Sequence, residues 1–517
     1  MTEIIQPYPN ELPTDFADRL GEYYSGQLQF TNKKEAGQYF TPPALARFIG
    51  SFADIATSSI RILDPGCGTA ILSCALIEEL MRLNSVSKIF LTLYETDKNL
   101  LKYTNKSLLY LSEWLEKKRI DFKWELIPQD FILDSYSLFS SNSNEYGYDL
   151  IIANPPFFKL SKDDTRAIAV SQIANGISNI YAAFLVVAST LLNAGGELIF
   201  IVPRSFSSGL YFKDFRNFFF RNVQICNIHL FQSRKDAFSR DKVLQETIII
   251  KGKKRPRIET TGEIELSSSG GLADISSRKV VRYKEEYLID FESKDRILHL
   301  PIDDFEGEIL NLFKSWDGSL EKYNLKISTG PIVAFRVKDK ISDTGIPPLS
   351  VPLLWLHNVT RMKVDWPVWR EDKGQFIENS LVTVKLLVPN KNYVLMRRFS
   401  AKDDKYRLVA APHFYTMGST EKIGIENKLN YIYRPNGHLL RKEILGLCAL
   451  LNSSIFDNYF RIFNGNINVS ATELRAMPLP PLEIIYEIGE KLILLNDFST
   501  NSVDKIINNQ FKLEFKL

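Results

Sequence analysis

Short apolar runs alternate with longer stretches of helical period through the first half of this chain. Ile60-Arg61-Ile62-Leu63, Ile89 to Tyr94, Phe122 to Ile127, Leu150-Ile151-Ile152-Ala153 and Glu197 to Val202 read as buried strands. Each is brief, rich in β-branched or aromatic residues, and bounded by turn residues. Residues 225–231 and 245–251 read as two further strands. Helices are expected over Ala70 to Met81, Lys98 to Lys117 and Ile180 to Leu192, with Gly195-Gly196 breaking the last from its strand. Strands alternating with helices predict an α/β fold, a Rossmann-like doubly wound sheet of seven strands.

The flanks of this region carry other patterns. Phe16, Leu20, Tyr23 and Tyr24 recur at helical spacing, so residues 1–36 are expected to form a helical extension. Thr41 before Pro42-Pro43 predicts a helix capped by Thr41 and running through Leu45, Phe48 and Ile49. The charged run Lys251-Gly252-Lys253-Lys254-Arg255-Pro256-Arg257 marks a change of composition. It sets the expected end of a catalytic domain, residues 37–252. Residues 253–302 are expected to be a connecting region. Residues 303–517 read as a mixed α+β domain with Trp316, Trp355, Trp366 and Trp369, basic clusters at Arg397-Arg398 and Lys402–Arg407, and a helix from Leu440 to Ile462.

Composition narrows the class. The 517 residues are 45% hydrophobic and 24% charged, with a net charge of +3. So small an excess does not by itself identify a polyanion partner; any DNA-binding surface must concentrate its basic residues. Cys67, Cys74, Cys226 and Cys448 are scattered without a CxxC pair, which supports neither zinc nor a disulfide framework and fits a reducing cytoplasm. The start, Met1-Thr2-Glu3, does not resemble a signal peptide. No apolar run approaches the roughly 18 residues of a membrane span. Neither a metal nor a membrane is expected.

The chemistry sits at strand ends. After the first strand, Asp64-Pro65-Gly66-Cys67-Gly68-Thr69 is a Gly-rich turn that lets backbone approach a ligand. It lacks the Gly-Lys-Ser/Thr of a P-loop. Glu95, after the second strand, stands where a ribose diol would be gripped. Asp97 is the weaker choice, as a plain helix cap. Asp130-Phe131 ends the third strand, suited to an adenine amine and ring or, equally, to a cap and a core aromatic. The fourth strand runs into Asn154-Pro155-Pro156-Phe157. Two prolines remove two backbone donors and fix φ twice. What remains is a rigid turn with one amide, carbonyl oxygens and an aromatic face. The Asn154 oxygen and the Pro155 carbonyl can each accept one N–H of a planar aromatic amine. Held so, the nitrogen turns toward tetrahedral and aims its lone pair to one side, while Phe157 stacks on the ring. The polar stretch Lys159 to Ser178 reads as a mobile loop over the site.

Gly37-Gln38-Tyr39-Phe40-Thr41-Pro42, then Asp64-Pro65-Gly66-Cys67-Gly68, Glu95, Asp130-Phe131 and Asn154-Pro155-Pro156-Phe157 resemble, in this order, the S-adenosylmethionine-dependent DNA adenine N6-methyltransferases of the gamma class. Asn179 to Phe184 and Gly195 to Pro203 are similar to the next two motifs of that family. The resemblance covers residues 30–250 well, and Leu450 to Ser454 and Val469 to Pro478 are also family-like. It implies that Asp64, Gly66 and Gly68 line the methionine end of the cofactor, with Gln38, Phe40 and Thr41 closing over it. Glu95 would hold the ribose; Asp130 and Phe131 the cofactor adenine; Asn154, Pro155, Pro156 and Phe157 the target. Phe238 falls where the family keeps an aromatic that stacks on the flipped base, an anchoring role being the alternative. Residues 303–517 would recognise the duplex DNA target. A stand-alone modification enzyme in a prokaryotic cytoplasm, with a separately acting restriction endonuclease, is implied. A methyltransferase for protein glutamine or ribosomal RNA shares the same turn and is the rival expectation.

Overall fold

The computed structural model describes residues 5–27, 41–83, 86–140, 147–232, 246–256, 262–400, 404–416, 420–465 and 468–512. The chain divides into two compact units, Met1–Asp303 and Asp304–Leu517. The first is built on a nine-stranded sheet. Its strands are β1 (Ser59–Asp64), β2 (Lys88–Tyr94), β3 (Asp121–Ile127), β4 (Tyr148–Ala153), β5 (Leu192–Pro203), β6 (Val223–Phe231), β7 (Thr247–Lys254), β8 (Glu263–Ser269) and β9 (Lys279–Lys284). They lie in the order β3-β2-β1-β4-β5-β7-β6-β8-β9. The first five strands in that order are parallel, and β7 is antiparallel to both β5 and β6. The seven expected strands are all present.

Three expectations are corrected here. Residues 253–302 are no connecting region: β8 pairs with β6 and β9 with β8, so they widen the sheet. Ile264 and Leu266 are fully buried on its face. The charged run is not a boundary either. Lys251 is buried in β7, and Lys251 and Lys253 each lie 3.1 Å from the buried Glu197 of β5. Gly195-Gly196 also does not precede the strand. β5 starts at Leu192, and the glycines sit in a bulge between the pairs Tyr148–Leu192 and Leu150–Glu197.

The crossover helices follow from their apolar faces. Leu72, Ala75, Leu76 and Leu80 of the helix Ile71–Arg82 and Leu108, Leu111 and Leu115 of the helix Leu101–Glu116 are buried in one core. The N-terminal helix Pro13–Gln27 packs Phe16, Leu20 and Tyr24 against Leu100 and Tyr103. The second unit is α+β. One sheet orders Lys326–Thr329, Leu429–Tyr433, Tyr393–Arg397 and Ala410–His413, and five short strands form another. The expected single helix at Leu440 to Ile462 is two, Arg441–Asn452 and Ser454–Phe463, because Ser453 leaves helical geometry to cap the second. The basic cluster of this unit is partly internal. Arg407 is buried against Ser400 and Asn464, and Arg397 donates to the Val359 carbonyl.

His229 illustrates how β8 is held. Its ring nitrogens lie 2.9 Å from Ser267 Oγ and 3.1 Å from Ser269 Oγ, and its ring packs between Phe48 and Phe231. Burial, helped by Arg278, pushes its pKa down to about 4. In the unfolded chain it protonates near 6.5, so its contribution is fully present above that pH and is lost as pH falls toward 4. Denaturant titrations of wild type should lose stability across that window. His229→Gln should remove about one proton's worth of the slope, roughly 3 kcal/mol in all. An unchanged slope in the variant would refute the neutral buried imidazole.

Candidate active site

The carboxyl ends of β1, β2, β3 and β4 converge. The Cys67 amide donates to Tyr94 at 3.0 Å and the Glu95 amide to Ile127 at 3.2 Å, locking three strand ends together. A cavity of about 340 Å³ opens beside them. Its wall includes Thr41, the turn Pro65 to Thr69, Glu95, Asp130, Phe131, Asn154, Pro155 and Pro156. Side chains drawn from five separate stretches of sequence thus meet at one opening, as ligands do in open α/β sheets.

The turn after β1 is tight: Gly68 has φ +56°, a left-handed conformation that suits glycine. Its amide donates to Glu95 Oε2 at 3.1 Å, while the Asp97 amide donates to Glu95 Oε1 at 2.8 Å. Burial raises the Glu95 pKa against the pull of these two amides. Asp97 faces elsewhere. It receives the Tyr24 hydroxyl and the Asn99 amide, the capping role foreseen for it.

Asp64 is not on the cavity wall. It is fully buried behind the turn and accepts from Ser73 Oγ at 2.7 Å, while its Oδ1 has no hydrogen-bond partner of good geometry among the described residues. Burial pushes its pKa up to about 7, against the opposing pull of Ser73 and the Gly66 amide and with a further push from Glu95. A direct contact with a bound ligand is therefore not its placement here. It is a buried carboxyl under the turn that carries Gly66 and Gly68.

Asp130 does two jobs. Its Oδ1 caps the helix Phe131–Ser140 by accepting from the amides of Ile132 and Leu133, and its Oδ2 lies 3.9 Å from Arg166. Phe131 is nearly buried, its ring 5.4 Å from Tyr94 and 5.2 Å from Phe184. The cap and the packed aromatic weighed for this pair are both present, and each residue also borders the cavity.

Asn154 follows β4 directly, and its Nδ2 donates to Thr41 Oγ1 at 3.1 Å. Thr41 is not the cap of its helix. The helix Pro43–Gly50 has Pro42 at its N-cap and no side-chain cap, which leaves the Thr41 hydroxyl to Asn154. Phe157 does not line the cavity; it meets Tyr181 edge-on at 6.3 Å. Its neighbour Phe158 lines the cavity instead, under the Arg166 guanidinium at 5.3 Å. Arg166 is in turn held by Asp164 at 2.7 Å. The stretch expected to be a loop thus contains the helix Thr165–Ser171 and supplies Arg166 to the wall.

Phe158, Arg166 and Phe184 were not singled out from the sequence. Phe184 stands inside a family-like motif, and Phe158 is one residue past the Asn154–Phe157 turn. Arg166 carried no signal in a polar stretch. Gln38, Phe40 and Phe238 lie outside the described residues. Among the described residues no group of acidic, His and Cys side chains could hold a metal, and no helix is long and apolar enough to cross a membrane.

The donor set fits S-adenosylmethionine. The close backbone turn at Gly66 and Gly68 would admit its methionine end, Glu95 its diol, and Asp130 with Phe131, Phe158 and Phe184 a flat purine. Two buried carboxyls nearby suit its positive charge.

Residues 73–238 match the family described as Eco57I restriction-modification methylase. The chain is 30% identical to Type II methyltransferase M.PstI of Providencia stuartii, over 99% of this chain and 100% of that one. It is 31% identical to Type II methyltransferase M.BsuBI of Bacillus subtilis, over 89% of this chain and 91% of the relative. The type IIG restriction endonuclease BpuSI aligns in structure with 97% of this chain and 67% of its own, at a TM-score of 0.46 and 13% identity.

Proposed function

Since the chain belongs to the type II methyltransferases of restriction–modification systems, enzymes that methylate DNA from S-adenosylmethionine, we propose that it methylates the exocyclic N6 amine of an adenine flipped out of duplex DNA. The observation that carries the reading is the placement of Asn154-Pro155-Pro156 at the end of β4, on the same cavity as Glu95 and Asp130. The base is inaccessible inside a duplex and must leave the stack before it can react.

The residues divide the work. Glu95 grips the diol and Asp130 the purine edge, fixing where the reactive end lies. Held there, S-adenosylmethionine would supply an electrophilic methyl group on a sulfonium, with sulfur able to take the electron pair of the S–C bond. Asn154 Oδ1 and the Pro155 carbonyl each accept one N–H of the target amine, bending it and turning its lone pair toward the cavity. The N–C bond forms from that pair. The resulting N6 cation is acidic and gives up one proton to water, so no strong base is needed. Phe157, which does not line the cavity, provides the face against which the base packs, while Phe158 belongs to the cofactor side. Prolines at 155 and 156 keep this arrangement stiff, a form of preorganisation.

A role for residues 304–517 in reading the DNA sequence, a cytoplasmic prokaryotic setting, and a separate endonuclease that cuts the unmethylated site complete the proposal. Incubation with tritiated cofactor and mixed-sequence duplex DNA, followed by nucleoside analysis, tests it. N6-methyldeoxyadenosine at one sequence is expected. N4-methyldeoxycytidine, or label entering RNA or protein instead, would overturn it.

A further inference from the structure

We infer that Lys159 grips a backbone phosphate of the DNA strand beside the flipped nucleotide, aimed there by the ring of Tyr211. The inference rests on the base-flipping reading and deepens it on a surface outside the cofactor cavity, since neither residue lines that cavity. Lys159 is exposed, and its Nζ stands over the Tyr211 ring, 5.2 Å from the centroid. Among the described residues it has no carboxylate partner, whereas Lys213, two residues past Tyr211, is held by Asp295 at 2.9 Å. An ammonium can only donate, so what completes this site is an acceptor, and an anion suits it best.

The platform under the ammonium is fixed on both sides. The Ser178 carbonyl accepts from the Leu160 amide at 2.9 Å and from the Tyr211 hydroxyl at 2.5 Å, tying their two segments together. Behind Tyr211, the buried Arg216 guanidinium donates to the carbonyls of Phe206, Ser208, Gly209 and Asp295, which fixes the loop that carries it. Tyr211 is nevertheless 41% exposed, so the ring is held in one orientation at the surface. Its hydroxyl proton is committed to Ser178. The phosphate therefore falls to Lys159, and the ring orients the ammonium through a cation–π contact.

The aromatic side chains lead from this platform back to the target. Tyr211 meets Phe212 at 4.7 Å, Phe212 stacks on Tyr181 at 5.6 Å, and Tyr181 meets Phe157 at 6.3 Å. Lys159 itself follows Phe157 by two residues, a span of at most about 7 Å. A nucleotide whose base packs against Phe157 brings its own phosphates past this edge. A contact of this kind fixes the register of the strand and reads no sequence.

Binding titrations with full-length protein, duplex carrying the methylated site and the non-reactive product S-adenosylhomocysteine test the contact. A single uncharged methylphosphonate linkage is walked along the target strand on both sides of the adenine. At one linkage flanking the adenine, wild type should bind about 5-fold or more weaker, and Lys159→Gln should lose the same factor on ordinary DNA. The two changes combined should cost no more than about 2-fold beyond either alone. The salt dependence of log Kd should lose about one unit of slope in the variant. Lys159→Arg should bind DNA within about 3-fold of wild type, and cofactor affinity should stay within about 2-fold throughout. If Lys159→Gln weakens binding by one factor on every methylphosphonate duplex, the lysine adds only diffuse charge and the assigned contact is overturned. A lowered melting temperature with normal DNA affinity would make Lys159 a brace for Tyr211 and overturn it equally. A wild type that methylates no adenine in duplex DNA would instead remove the base-flipping reading itself.

Discussion

Asn154→Ala should abolish methyl transfer, by about 10²-fold or more in single-turnover rate, while cofactor affinity stays near wild type. The magnitude follows from the kind of interaction removed. The target amine carries almost no charge in the ground state and gains positive charge as the N–C bond forms, so its N–H groups become stronger donors during the step. An acceptor fixed in a dry site contributes most at that moment, and loss of one such preorganised group typically costs about 10²–10³ in rate. Cofactor binding should survive because the residues proposed to grip the cofactor, Glu95 and Asp130, stand on other stretches of the cavity wall. Pro155 contributes its acceptor through the backbone, so the residual rate reports that second hydrogen bond. More than about a tenth of wild-type rate in Asn154→Ala would contradict the acceptor role. A large loss of cofactor affinity would mean that Asn154 instead belongs to the cofactor site.

The parts of this molecule legible in the sequence are those whose physics is local. β1 to β7 announce themselves because each is a compact apolar run whose neighbours are turns or helices of regular period. That Glu95, Asp130 and Asn154 share one cavity is foreseeable because a parallel sheet brings the ends of its central strands together, so position along the strand predicts position in space. What sequence misses depends on partners far along the chain. Thr41 before two prolines is a cap by local rules, and only the fold brings Asn154 near enough to take its hydroxyl. Asp64 stands at a strand end like Glu95, but Ser73 one helical turn into the next element draws it behind the wall. β8 and β9 are obscured for a chemical reason: Ser267 and Ser269 lie buried on β8, between β6 and β9, where they satisfy His229 rather than face water. Lys251 looks like part of a solvated run until Glu197 is placed beside it. Arg407 looks like a phosphate contact until Ser400 and Asn464 enclose it.

Glu95→Ala should weaken cofactor binding by about 10²-fold. Each oxygen of Glu95 takes one backbone amide, from Gly68 or Asp97, and retains a second lone pair for one ribose hydroxyl. Hydrogen bonds to a charged acceptor are worth about 1.5–3 kcal/mol each, so losing a diol grip reaches that factor. Calorimetry with S-adenosylmethionine and with an analogue lacking both ribose hydroxyls separates the grip from collapse of the turn. The analogue should bind wild type and variant about equally if Glu95 acts on the diol. An equal loss with both ligands would show that only the turn depends on it. The same titrations should be pH-dependent. Asp64 sits under the turn with its pKa pushed up to about 7, and Glu95 is raised as well. A ligand carrying net positive charge favours their ionised forms, so binding releases a proton where they are partly protonated, and affinity should rise from pH 6 to 8. Asp64→Asn should flatten that rise without removing the preference for the diol, because its carboxyl acts through its charge beneath the wall. Affinity that stays constant with pH in wild type would remove Asp64 from the electrostatics of the site.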